Sequence, residues 1–72
     1  MQEFTPEQIV KFRRIASDGM MSDYPRCSER AACLSDLLAK FRNDREVGGR
    51  SKAAVEIEEL ARWVESSLKY RR

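Results

Sequence analysis

Two apolar stripes at helical period, separated by Gly48-Gly49, constrain this chain more than any other feature. Upstream of the glycines, Cys27, Ala31, Leu34, Leu38 and Phe41 recur at alternating spacings of four and three, with Leu37 broadening the set. Downstream, Ala53, Ile57, Leu60, Ala61, Val64 and Leu68 repeat the pattern. Such spacing lines each set along one face of an α-helix. The pattern predicts one helix over about residues 25–46 and another over about 51–70. Pro25 can open the first of these, because the missing N–H of proline is not needed in a first turn. Ser51 can cap the second with its side-chain oxygen. Asp36/Lys40, Glu58/Arg62 and Glu65/Lys69 are i,i+4 pairs on the polar faces. At 1.5 Å per residue each helix is about 30 Å long. Matched helices joined by a short Gly-rich turn favour an antiparallel hairpin.

A shorter helix is predicted ahead of the hairpin, over about residues 6–17. Thr5 is a good N-cap, Pro6 suits the first helical position, and Gln8 completes a capping box. Phe4 and Ile9 occupy the two positions of a hydrophobic staple. Ile9, Phe12 and Ala16 form a stripe with Ile15 at its edge, and Gly19 reads as a left-handed stop. The connector Met20-Met21-Ser22-Asp23-Tyr24-Pro25 is less polar than an ordinary loop, so it should pack on something.

With 72 residues the chain is read as one helical domain, residues 1–72. A chain so short buries only about 60% of the surface it exposes when unfolded. Disulfides, a metal or oligomerisation commonly supply the missing stability. Two cysteines and no histidine argue against a structural zinc site, which takes four such ligands. Cys27 and Cys33 on one helix point about 120° apart and do not face each other. Free thiols fit a reducing compartment. Oligomerisation remains. The expected architecture is all-α, a short N-terminal helix plus a long antiparallel hairpin, with two hairpins pairing into a four-helix-type core. In that arrangement the first helix lies along the outside or across the partner.

Several activities find no support. Fourteen basic and twelve acidic residues leave a net charge of +2, a mixed surface. No apolar run exceeds Ala31-Ala32-Cys33-Leu34, far short of a membrane span. Met1-Gln2-Glu3-Phe4 does not open a signal peptide, so the expected location is cytoplasmic. Neither cysteine has a histidine to activate it, and the glutamates of the third predicted helix have basic neighbours. Gly48-Gly49 is not followed by the Lys-Ser/Thr of a phosphate loop. No catalytic residue, metal ligand or cofactor is expected.

The most informative leftover is a second apolar line on the third predicted helix. Trp63 and Tyr70 are seven residues apart, on a line rotated roughly 100° from the main stripe. Either the first helix folds back and covers this line, or the line belongs to a dimer or partner interface, where Trp and Tyr are enriched. The candidate contact residues are Trp63, Tyr70, Met20, Met21 and Tyr24, with Phe4 if its staple is uncovered. The alternative is nucleic-acid binding through Arg13, Arg14, Arg71 and Arg72. These cations fall at helix ends, where they complement the macrodipole, and no known nucleic-acid motif accompanies them. The sequence therefore reads as a small helical protein-interaction module, an adaptor, regulator or inhibitor acting as a homodimer.

Overall fold

The computed structural model describes residues 3–41 and 51–70. All regular structure among them is helical: α1 (Pro6–Met20), α2 (Pro25–Lys40) and α3 (Lys52–Lys69). The Gly48-Gly49 turn lies outside the described residues.

The predicted cap of α1, with Thr5, Pro6 and the Gln8 capping box, is present. Thr5 Oγ1 accepts from the Gln8 N–H (3.1 Å), and the Thr5 N–H donates to Gln8 Oε1 (2.8 Å). The end differs from expectation. α1 continues to Met20, and Gly19 is a buried helical residue without positive φ. Its missing side chain serves packing, not a left-handed turn. A Cβ built on Gly19 would stand 2.5 Å from Ala31 Cβ and 2.6 Å from Val64 Cγ1. All three helices meet there. Beyond it the helix closes through short bonds, Met21 N–H to the Asp18 carbonyl (3.3 Å) and Ser22 N–H to the Gly19 carbonyl (3.1 Å).

α2 opens at Pro25, with Tyr24 extended as a residue before proline prefers. It stops at Lys40, short of the predicted Glu46, because Phe41 is already extended. No Gly or Pro marks this end. At this end the Phe41 ring packs on Phe4 at 5.3 Å between centroids. Residues 42–46 lie outside the described residues. α3 opens as predicted, with Ser51 Oγ accepting from the Ala54 N–H (3.2 Å).

One core joins the helices. α1 contributes Phe12, Ile15, Ala16 and Gly19; α2 contributes Cys27, Ala31, Leu34 and Leu38; α3 contributes Ala54, Ile57, Ala61 and Val64. On α3 the deepest alanine is Ala54, not the predicted Ala53. The most extensive helix contact is α1 on α2, not the hairpin pair α2 and α3. Phe4, a conditional contact residue, is instead only 2% exposed, edge-on to Phe12 at 5.0 Å. Beside it, Glu3 grips the start of α3. Its carboxylate accepts from the Ser51 N–H (2.7 Å) and the Ser51 hydroxyl (2.9 Å). An anion there satisfies free N–H groups and the helix dipole together.

Two stability predictions follow from this packing. In a solvent-facing helix Gly→Ala gains about 1 kcal/mol. At Gly19 the added methyl meets a backbone-anchored Cβ and a stiff valine, so overpacking of about 1–3 kcal/mol should outweigh that gain. Gly19→Ala should lower the thermal midpoint read by circular dichroism; a higher midpoint would contradict the close approach. Phe4→Ala should cost about 3–5 kcal/mol, most of the stability of a chain this small, and should appear as a large loss of urea midpoint.

Candidate functional site

The junction at Gly19, Ala31 and Val64 fixes the levels of residues outside the core. α1 and α3 run one way and α2 the other. Met20, Met21, Tyr24 and Tyr70 therefore share the end of the bundle where α1 passes into α2. With 1.5 Å per residue, Tyr24 stands about 10 Å and Tyr70 about 9 Å beyond the junction. Their exposures are 44% for Met20, 81% for Met21, 48% for Tyr24 and 78% for Tyr70.

Trp63 lies beside the junction on α3 and is 36% exposed. Its ring is held by α2: the Arg30 guanidinium carbon sits 4.3 Å from the ring centroid. This is a cation–π contact at a partly exposed site. Around it runs an open groove of about 630 Å³, floored by Leu60 and Trp63 and flanked by Arg30, Arg62, Glu56 and Glu59. α1 does not cover it. That helix packs on another side of α3, where Lys11 Nζ lies 3.8 Å from Glu65 Oε2 and Gln8, Lys11 and Phe12 face Glu58 and Ala61. The line of Trp63 and Tyr70 thus stays open on the α2–α3 side.

The five candidate residues do not form one patch. Trp63 and Tyr70 share a line on α3, two turns apart. Met20 instead edges a groove between α1 and α2, with Arg13, Ser17, Ser35 and Leu38. Of the candidate nucleic-acid contacts, Arg13 and Arg14 are exposed on α1, and Arg71 and Arg72 lie outside the described residues. Sequence reasoning missed Arg30. Its partner is on another helix, thirty-three positions away, and only the packing of α2 on α3 pairs them. The signal available was weaker: Arg26, Arg30, Cys33 and Leu37 follow a helical line beside the core stripe of α2.

Cys27 is buried and Cys33 exposed, both as free thiols. No helix among the described residues is long and apolar enough to cross a membrane. Protein-family models, curated proteins and solved structures gave no match to this chain.

Replacing Arg30 with alanine should uncover the indole. Trp63 is the only tryptophan, so its emission should shift to the red and its quenching by acrylamide should rise. The stability change should stay below about 1 kcal/mol. An unchanged spectrum would mean that the guanidinium does not cover the ring.

Proposed function

We propose that this protein is a helical interaction module that works by contact with another protein surface, as an adaptor, regulator or inhibitor, and as a homodimer. One observation carries the reading. Trp63, the largest apolar side chain of the molecule, stays 36% exposed beside an open groove between α2 and α3. An aromatic ring of this kind buries about 150–250 Å² when covered. Here it lies under Arg30 and beside half-buried Leu60. Trp with Arg beside it is the composition of interface hot spots.

In the dimer the α2–α3 pairs of two copies face each other as a four-helix layer, with α1 of each copy outside. Tyr70 and Tyr24 extend the contact toward the open end of the bundle. The reading asks for no catalytic group, metal or cofactor. Free thiols fit a reducing compartment, so the reading expects a cytoplasmic protein.

A photo-crosslinking residue placed at exposed Ser66, beside Trp63, tests the reading in cells of the source organism. Light should join the chain to protein at Ser66, and the adduct should fade when Trp63→Ala is added. The same residue at exposed Arg14, on α1, should give no such adduct. Equal yield from both positions, or none from Ser66, would overturn the proposal.

A further inference from the structure

The start of α3 is left incomplete by its own sequence. In α1 the capping box closes both ways: the Thr5 hydroxyl accepts from the Gln8 N–H, and the Gln8 side chain accepts from the Thr5 N–H. In α3 only the first half exists within the helix. Ser51 Oγ accepts from the Ala54 N–H at 3.2 Å. Ala54 stands where Gln8 stands in α1, and it has no side-chain oxygen to return the bond. The missing acceptor comes from a distant part of the chain. Glu3 takes the Ser51 N–H at 2.7 Å and the Ser51 hydroxyl at 2.9 Å. The start of α3 thus holds a carboxylate supplied from outside the helix, as the helix dipole favours.

Beside that seat lies a second one, for a ring. Phe4 is 2% exposed, edge-on to Phe12 of α1 at 5.0 Å and tilted on Phe41 at 5.3 Å. Adjacent residues fill the two seats, so together the seats select an acidic residue followed directly by an aromatic one. A ring alone leaves the Ser51 N–H without its carboxylate, and an acid alone leaves the ring seat open.

Release of these two residues does not take α1 apart. The contacts just described are made by side chains ahead of Thr5. The bonds that start α1 begin at Thr5, whose carbonyl accepts from the Ile9 N–H and whose hydroxyl accepts from the Gln8 N–H, both at 3.1 Å. Rotation at the Phe4–Thr5 link swings Glu3 and Phe4 outward and keeps those bonds.

We propose that Glu3 and Phe4 form an autoinhibitory strap over a docking site for a segment of another protein that bears an acidic residue directly followed by phenylalanine. The incoming ring takes the place of Phe4 and the incoming carboxylate that of Glu3, so the core keeps its volume while the strap is out. The strap competes at the high effective concentration of a segment on the same chain. The affinity of the partner is reduced by the fraction of molecules in which the strap is closed. Ser51 lies twelve residues before Trp63 on α3, about 18 Å away along the helix. The site is therefore separate from the α2–α3 face, and either can fail without the other.

The test uses the full chain labelled with 15N and the acetylated peptide Gln-Glu-Phe-Thr-Pro, a copy of residues 2–6. In the wild type the Ser51 amide proton should exchange through a local opening that mild urea hardly changes, whereas those of Ala61 and Val64 should need global unfolding. In Glu3→Ala the Ser51 amide should exchange about tenfold or more faster, because a charge-assisted bond is lost, with Ala61 and Val64 still protected. Millimolar peptide should move the Ser51 amide signal of this variant back toward its wild-type position. The wild type should need about tenfold or more peptide, since its own strap must leave first. Peptides carrying Glu3→Gln or Phe4→Ala should leave the signal where it is. Wild-type Ser51 exchange that follows Ala61 and Val64 would make the segment an inseparable part of the core and overturn the strap. A peptide that leaves the variant unmoved, or altered peptides that act as well as the original, would overturn the docking site.

Discussion

The close approach of three helices at Gly19 is the constraint on which the rest of this structure depends. A side chain at that position would collide with Ala31 and Val64. Its absence lets α1 settle onto α2 and α3 together, and α1 then occupies the face that an isolated hairpin would leave bare. Small residues continue the theme: Ala16 on α1, Ala54 and Ala61 on α3 are all nearly or fully buried. Close-packed backbones gain many weak dispersion contacts and tolerate little added volume. Choosing which side of the hairpin α1 covers also chooses which side it leaves open.

The opposite end of the bundle is closed by different means. There the helices are held by side chains of the short segment before α1. Phe4 lies against both Phe12 and Phe41, joining the middle of α1 to the end of α2 by ring contacts. Glu3 bonds both the N–H and the hydroxyl of Ser51. The two residues thus tie the end of α2 and the beginning of α3, on either side of the segment between them. The helices close on one another at Gly19 because a side chain is missing, and they are tied at the Phe4 end because two side chains are present.

The three helices were legible in the chain because their signals are local. Thr5-Pro6 with Gln8, Pro25 and Ser51 mark starts through hydrogen bonds made within one turn. The stripes mark faces because burial repeats with the helix period. The misreadings are all non-local. Gly19 looks like a stop until Ala31 and Val64 are placed beside it. Phe41 packs on the core as its spacing predicts, yet α2 ends before it and its ring meets Phe4, thirty-seven positions away. Phe4 itself reads as a staple or a surface residue until its two ring partners are in place. At the site, the line of Trp63 and Tyr70 follows from seven-residue spacing, whereas the covering Arg30 depends on how α2 meets α3. Sequence could place the indole on a second face; it could not say which helix would leave that face open.

The small core and the exposed indole are two results of one constraint. Where backbones meet as closely as they do at Gly19, there is no volume for a tryptophan, and forcing one in would cost more than its burial returns. Trp63 sits one residue from Val64 on α3, beside the tightest point of the bundle, and points to the side where space remains. Its neighbours there do not hide it. Arg30 covers part of the ring and leaves its charge in water, as a long cationic side chain can. A chain that closes its core with glycine and alanine forgoes the burial that large side chains provide, and the apolar surface it could not enclose stays outside. Burying that surface against something else would return part of the stability the tight core gave up.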